Sequence, residues 1–373
     1  MVSRGDRLSR PKPVDLSEVI RVDFKPLLRS LVPDDLDTLV TEAGLPAYRA
    51  HQLADWLYSR GVLNWDAMSN VPRKLREDLA DRYDLTGLEP EERQVSTDGT
   101  RKFLFRLRDG ATVESVIIPM EDHATFCIST QVGCAMACRF CATARGGLVR
   151  NLEAGEILEQ VLRLKADLDI SPVPGLGDRA FNVVYMGMGE PLDNWEAVAN
   201  SLTLMMDPRG LGMSRRRIQI STSGPGPGLR KLVAASPGVG LTLSIGGSTD
   251  TERKAVMPVP GRTSIAEAVD LVVRYAKTAG RRATVAWVLI ADSTDDPEMA
   301  RRLAALLRGL PLKVNLIPMN PLDDADLEPP DQGTILAFQE ILTTAGVPTF
   351  IRASGGRDIA AACGQLRRRR LKT

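Results

Sequence analysis

The 373-residue chain has no run of about 18 or more apolar residues, so nothing in it reads as a membrane-spanning helix. No apolar stretch follows the basic residues of Met1-Val2-Ser3-Arg4-Gly5-Asp6, which argues against a secretory signal and makes the cytoplasm the expected location. Net charge is only +1, giving no global sign of a polyanionic partner. Internal repeats and long low-complexity tracts are also absent. Cysteine is scarce. The five present are an odd number in a chain too long for a secreted disulfide scaffold. What remains is an ordinary globular composition, 43% hydrophobic and 25% charged, long enough to bury one large core or two.

Four of the five cysteines fall between positions 127 and 141. Cys134-Ala-Met-Ala-Cys138-Arg-Phe-Cys141 is a C-x3-C-x2-C motif directly after a predicted strand. Three thiolates so closely spaced suit three irons of a cubane cluster, because soft sulfur favours iron–sulfur chemistry. The fourth iron then lacks a protein ligand. An open iron of this kind lets the amino and carboxylate groups of S-adenosylmethionine chelate the cluster, so that one electron cleaves the sulfonium and leaves a 5′-deoxyadenosyl radical. The alternatives are three buried thiols or a structural zinc completed by His123. Structural zinc normally takes two close ligand pairs, and no second pair exists here.

Around that motif the pattern is of alternating elements. The first 25 residues read as a flexible polar arm, and residues 26–95 as a small helical module. Within it Leu53, Trp56 and Leu57 share a face, and a helix opens near Pro72 with Leu75 and Leu79 inside. Phe103–Arg108 and Val113–Pro119 read as strands joined at Asp109-Gly110. Further strands are expected at Ala124–Thr130, Asn182–Met186, Arg217–Thr222, Val239–Ile245, Thr284–Leu289, Lys313–Pro318 and Thr349–Ala353. Helices are expected at Glu153–Leu168, Ile265–Ala279 and Pro297–Leu307. The alternation predicts βαβ units and a parallel sheet, open or closed into a barrel, with the active site at the strand C-termini.

Several strand ends carry polar groups. Gly187-Met188-Gly189-Glu190-Pro191 would let backbone approach a ligand, with Glu190 accepting from an ammonium group. Ser221-Thr222-Ser223 and Ser244 could bind ribose or carboxylate, or simply shape turns. Glu114, in an otherwise apolar strand, is either a surface residue or a carboxylate poised for proton transfer. Cys127 and Cys363 could each be inert small hydrophobes. Arg215-Arg216-Arg217 and Arg367-Arg368-Arg369-Arg370 are either phosphate-binding clusters or solvated surface.

From about Tyr48 to Leu366 the chain resembles the radical S-adenosylmethionine adenine methyltransferases of ribosomal RNA, the RlmN/Cfr family. The resemblance rests on Gln131-Val-Gly-Cys134, Gly187-Met-Gly-Glu-Pro-Leu192, Val314-Asn-Leu-Ile-Pro318 and Ala361-Ala-Cys-Gly-Gln-Leu366, with Tyr48–Leu57 like the family's helical RNA-binding domain. It implies an incomplete (β/α)6 barrel over residues 96–366, with an N-terminal strand extension and a C-terminal methyl-carrier segment, followed by a basic tail at 367–373. It implies a [4Fe-4S] cluster on Cys134, Cys138 and Cys141, and two S-adenosylmethionine molecules per turnover. Their contacts would be Gly189, Glu190, Ser221, Ser244, Ile245, Gly246 and Asn320. It also gives the remaining groups roles in methylating carbon 2 of adenine 2503 in 23S ribosomal RNA and adenine 37 of transfer RNA. Cys363 would carry the methyl group into a transient RNA–protein crosslink, Glu114 would remove the ring proton, and Cys127 would resolve the crosslink through a disulfide with Cys363. Methylation of carbon 8 uses the same cysteines. A monomer served by an electron donor such as flavodoxin or ferredoxin is expected. Where the family reads Ser-Leu-His-Ala this chain has Ser244-Ile245-Gly246-Gly247; Met257-Pro-Val-Pro260 lacks the usual asparagine, and Pro321–Gln332 is acidic.

A zinc-stapled RNA-binding protein without catalysis is the reading of another class. Anaerobically purified protein should be brown, with about four irons and four sulfides per chain, and the Cys138→Ser variant should be bleached. A colourless wild-type protein holding about one zinc and no iron would eliminate the cluster.

Overall fold

The computed structural model describes residues 24–173, 181–258, 263–322 and 327–367. The expected arm (residues 1–23 of it) and Arg368–Thr373 of the basic tail lie outside the described residues, as do 259–260 and 323–326 of the two divergent segments. Three helices open the described chain: α1 (Pro33–Glu42), α2 (Tyr48–Ala54) and α3 (Arg73–Arg82). Leucines at helical spacing bury their inner faces, among them Leu36, Leu53, Leu57, Leu75 and Leu79, as the periodicity predicts. Pro72 caps α3, where its missing N–H costs nothing.

The chain then lays down an antiparallel meander, β1 (Leu88–Val95), β2 (Arg101–Leu107), β3 (Thr112–Pro119) and β4 (Ala124–Cys127). A small hairpin, β5 (Gln131–Gly133) with β6 (Leu148–Asn151), brackets the cysteine loop and the short α4 (Ala142–Arg145). From there strands and helices alternate: α5 (Ala154–Ile170), β7 (Phe181–Tyr185), α6 (Trp195–Met206), β8 (Ile218–Thr222), α7 (Gly226–Ala235), β9 (Gly240–Ser244). The series continues with α8 (Asp250–Val256), α9 (Ile265–Ala279), β10 (Ala283–Leu289), α10 (Pro297–Leu307), β11 (Leu312–Pro318), α11 (Gln332–Thr344) and β12 (Thr349–Ile351). Local chemistry sets the helix starts. Thr249 and Glu252 form a capping box on α8, Ser264 caps α9, and Asp296 precedes Pro297 at the start of α10.

The strands form one ten-stranded sheet in the order β1-β2-β3-β4-β7-β8-β9-β10-β11-β12. Every pairing from β4 onward is parallel. This is the incomplete α/β barrel expected, with β12 adding one parallel strand beyond six. Its inner and outer faces show in β11, where Leu312, Val314 and Leu316 are buried under helices while Lys313, Asn315 and Ile317 are half-exposed. The sequence reading ended the helical module at residue 95, whereas β1 already belongs to the sheet. β1 escaped notice because Glu89-Pro90-Glu91-Glu92-Arg93-Gln94 has no apolar alternation; it is an edge strand with a bulge after Pro90.

The helical module is fastened to the sheet through a buried charge. Arg29, with no exposed surface, lies 3.5 Å from Glu159 of α5, and burial lowers its pKa. Glu159 also accepts from the Gly87 N–H at 2.6 Å and from Arg163 at 2.9 Å. Glu159→Ala should therefore cost roughly 3–5 kcal/mol, since it strands a buried guanidinium. Urea unfolding of the full chain reads this; a loss under about 1 kcal/mol would show that Arg29 finds water instead.

Candidate active site

The loop Cys134–Cys141 sits where β4 hands over to β7, at the C-terminal edge of the parallel strands. It is pinned by backbone. The Ile128 N–H donates to Val184 O, the Thr130 N–H to Met188 O, and the Gly187 N–H to Ile128 O, at 3.0, 2.8 and 3.0 Å. Gly133 has φ +81, and a Cβ there would stand 1.9 Å from Gly147 O, so the strand can enter the loop only as glycine. Cys134 and Cys138 both feel the charge of Cys141. Burial pushes Cys134 up to about 12 and Cys138 higher still. Val256, Met257, Ile290 and Met319 form a small separate apolar cluster against which Cys138 and Phe140 pack. The buried guanidinium of Arg253 lies within electrostatic range of Cys138 and donates to Ser223 O and Thr263 O.

This donor set fits a cluster better than a single ion. Among the described residues no three His, Cys, Asp or Glu side chains converge on one ion-sized point. His123, the fourth ligand of the zinc alternative, lies in the turn before β4, at the opposite end of that strand from the loop, with Nδ1 2.6 Å from Asp122 Oδ1. Three thiolates on three different irons need not converge, whereas zinc requires it.

Beside the loop, the Gly187-Met188-Gly189 turn closes tightly. Gly189 has φ +108, and a Cβ would meet Gln131 Cβ and Thr130 Oγ1 at 2.7 Å. Glu190 follows, fully buried, with both carboxylate oxygens taken. Oε1 accepts from Thr222 Oγ1 at 2.6 Å and the Leu192 N–H at 3.0 Å; Oε2 accepts from the N–H and Oγ of Ser223, each at 2.8 Å. Burial pushes its carboxyl above the usual range, and these donors pull it back. Its own N–H donates to Gln131 Oε1 at 2.8 Å. In this structure Glu190 thus serves as the knot between β7, β8 and the loop. Ser221 and Ser244 end β8 and β9 half-buried, and the described hydrogen bonds include none from either hydroxyl. Ile245 is buried. Gly246 has φ +68, with a Cβ position 2.4 Å from Met257 Sδ, and a Cβ on Gly247 would meet Arg253 N at 2.4 Å. Gly247 therefore allows the α8 backbone to pack directly on the end of β9, while at Gly246 the positive φ and the Met257 side chain both disfavour a larger residue.

The segment 354–367 lies across this edge and is bolted at intervals. Asp358 accepts from Ser96 Oγ and the Thr97 N–H, and Asp98 accepts from the Gly356 N–H at 2.8 Å. Lys102 donates to Ala360 O at 3.2 Å. Asn320 Nδ2 donates to Cys363 O at 3.1 Å and to Ser354 Oγ at 3.0 Å, while its Oδ1 accepts from Arg357. The Ala142 N–H donates to Gly364 O at 2.7 Å, and Thr143 Oγ1 to Leu366 O at 2.6 Å. Glu114, almost fully buried, accepts from the Arg367 N–H at 2.9 Å and pairs with Lys102 at 3.5 Å.

Cys363 is thereby laid against the cysteine loop. It reaches the surface, yet the protein crowding its sulfur raises the thiol, and the charges of Cys141 and Arg352 act on it in opposite senses. Cys127, buried on β4, feels Cys363 in turn, after a larger upward push from burial. Both are free thiols here. The structure thus brings Cys127, Cys363 and the three loop cysteines into one region, with Glu114 under the same segment. It does not bring Arg215–Arg217 there. They form a turn just before β8, at the opposite end of the barrel. Lys102 and Arg253 were not singled out in the sequence, where nothing marks a lone polar residue as facing inward; only the register beside Glu114 could have flagged Lys102. Removing the Asn320 amide, as in Asn320→Ala, should speed hydrogen exchange over residues 360–367 about fivefold to thirtyfold with the β-strands unchanged. Unchanged exchange in that segment would mean that the remaining bolts suffice.

Comparison with known proteins matches both regions. Residues 128–304 fit the family model of the Radical SAM superfamily, and residues 28–85 that of the ribosomal RNA large subunit methyltransferase N-terminal domain. The chain is 42% identical over 370 residues to the dual-specificity RNA methyltransferase RlmN of Sorangium cellulosum, covering 90% of this chain and 94% of that one. It is 43% identical over 345 residues to the protein of the same name from Anaeromyxobacter dehalogenans, covering 92% of each. The crystal structure of a radical SAM methyltransferase from Sphaerobacter thermophilus superposes with a TM-score of 0.85 at 39% identity, covering 91% of this chain and 99% of that one.

Proposed function

Because the chain belongs to the RlmN family of radical S-adenosylmethionine RNA methyltransferases, we propose that it methylates carbon 2 of adenine 2503 in 23S ribosomal RNA and of adenine 37 in transfer RNA. The observation that carries this reading is the bolted segment 354–367, which lays Cys363 against the Cys134–Cys141 loop and within electrostatic range of Cys127. A radical initiator acting on a bound small molecule has no need of a cysteine presented in this way.

Cys134, Cys138 and Cys141 would hold a [4Fe-4S] cluster, and Gly189, Ser221, Ser244, Ile245 and Gly246 would contact S-adenosylmethionine. When bound, these groups supply a 5′-deoxyadenosyl radical, with the electron delivered by a flavodoxin or ferredoxin. Glu190 and Asn320 belong to the same set of contacts while also holding the frame together. Carbon 2 of adenine is electron-poor, so direct transfer of a methyl cation fails and a carbon radical is required. Cys363 takes the methyl group first, from one of two S-adenosylmethionine molecules consumed, and carries it to the ring. Glu114 receives the ring proton, its carboxylate lying 3.5 Å from the Lys102 ammonium. Cys127 then frees the product by forming a disulfide with Cys363; the buried Cys127 thiol must lose its proton as it does so.

Mass spectrometry of a methylated 23S fragment tests the position directly. A 2-methyladenine product is expected, and an 8-methyladenine product would overturn the assignment to carbon 2. Cys363→Ala should abolish methylation while leaving the iron content intact. Full product from that variant would remove the carrier role altogether.

A further inference from the structure

The open edge of the barrel carries an aromatic ring among cations that form no ion pair among the described residues. β12 is the last strand of the sheet. Its Phe350 pairs with Asn315 of β11 and therefore shares the inner face with Lys313, while Thr349 and Ile351 turn outward beside Val314 and Leu316. Phe350 is 50% exposed, and the Lys313 ammonium stands 5.9 Å from its ring centroid. By the same alternation Arg352 follows on that face, exposed. Arg281 lies in the turn before β10, with Nη1 buried and without a hydrogen-bond partner. Some arginines elsewhere are ion-paired, as Arg101 is with Asp167 and Arg302 with Glu252. Arg281, Lys313 and Arg352 form no ion pair among the described residues. They act on one another instead: desolvation lowers the Lys313 pKa, and the charges of Arg352 and Arg281 lower it further. Cations kept together against their own repulsion fit a polyanion. The stripe also runs toward the reactive segment, since the charge of Arg352 reaches Cys363.

We propose that Phe350, Lys313 and Arg352 form the docking edge for an unpaired RNA segment, with one base stacked on the exposed Phe350 ring and the flanking phosphates held by Lys313 and Arg352. An exposed aromatic beside unneutralised cations is the arrangement by which single strands are gripped, because every base has a π-face and every nucleotide a phosphate. A paired duplex would keep its bases from the ring. Arg352 lies within electrostatic range of Cys363, so a strand held along this edge would run toward the carrier. This inference rests on the RNA-methylating function proposed above, and identifies where the RNA lies.

The test uses the full chain and a fluorescein-labelled transcript of the 23S fragment spanning adenine 2503, with affinity followed by anisotropy across a salt series. Phe350→Ala should weaken binding roughly fivefold to a hundredfold with the salt slope unchanged. The double variant Lys313→Gln/Arg352→Gln should lower the slope of log affinity against log salt by about 1.4 to 1.8, one counterion term for each phosphate contact. Arg215→Gln/Arg216→Gln, at the far end of the barrel, should leave that slope where it is. Cluster absorbance should be the same in all variants, which excludes misfolding as the cause. If the wild-type chain methylates the transcript while these substitutions change neither affinity nor slope, or if a fully paired hairpin competes equally well, the docking edge is wrong and the function stands. If the wild-type chain neither binds nor methylates RNA, the functional reading itself fails.

Discussion

The active-site edge is organised around one buried carboxylate. Glu190 has no water to satisfy it, so its two oxygens must be met by protein donors, and four are supplied. Those donors come from the residue two ahead of it and from the end of β8. Its backbone N–H ties it to Gln131, whose amide reaches on to Asn151 of β6. One desolvated charge thus fixes the mutual positions of the Gly187–Gly189 turn, the β8 end and the hairpin that brackets the cysteine loop. Loosening any of these would leave part of that charge unmet, so they hold their places together.

The thiols show the opposite electrostatics. Burial raises Cys127, Cys134 and Cys138 because nothing nearby compensates their negative charge fully. Arg253 is the one guanidinium buried beside the loop among the described residues, and it is itself partly spent on two carbonyls. With the proposed cluster on the loop, its thiolates would lose their protons to bind iron, and cluster uptake would be linked to proton release. The small apolar cluster of Val256, Met257, Ile290 and Met319 shields this chemistry from water on the side of α8, β10 and β11.

Most of the parallel strands were legible because each is a short, largely apolar run between turn signals, while α9 is bounded by Ser264 and Gly280 and α10 opens on Asp296-Pro297. β1 was not legible, since an edge strand needs no apolar face. The cysteine spacing was readable because a cluster demands local sequence order. The role of the strand-end polar groups was only half readable. Thr222 and Ser223 sit next to Ser221 in sequence, yet two of the three serve Glu190 and the third does not, a split decided by strand alternation and by a turn more than thirty residues away. Lys102 and Asn320 could not be found from spacing, because their partners lie 258 and 43 positions distant. The Gly246-Gly247 departure becomes intelligible only through packing, where the α8 backbone at Gly247 and the Met257 side chain at Gly246 occupy the space that larger side chains would need.

The placement of the last described segment has a consequence for how the protein is made. Thr143, at the rim of the cysteine loop, bonds to Leu366, 223 positions later in the chain. Synthesis proceeds from the N-terminus, so the cysteine loop emerges well before the strap that crosses it. The contacts that position Cys363, from Thr143 and Asn320, can therefore form only after nearly the whole described chain has been made, and the strap is the last part of this edge to dock.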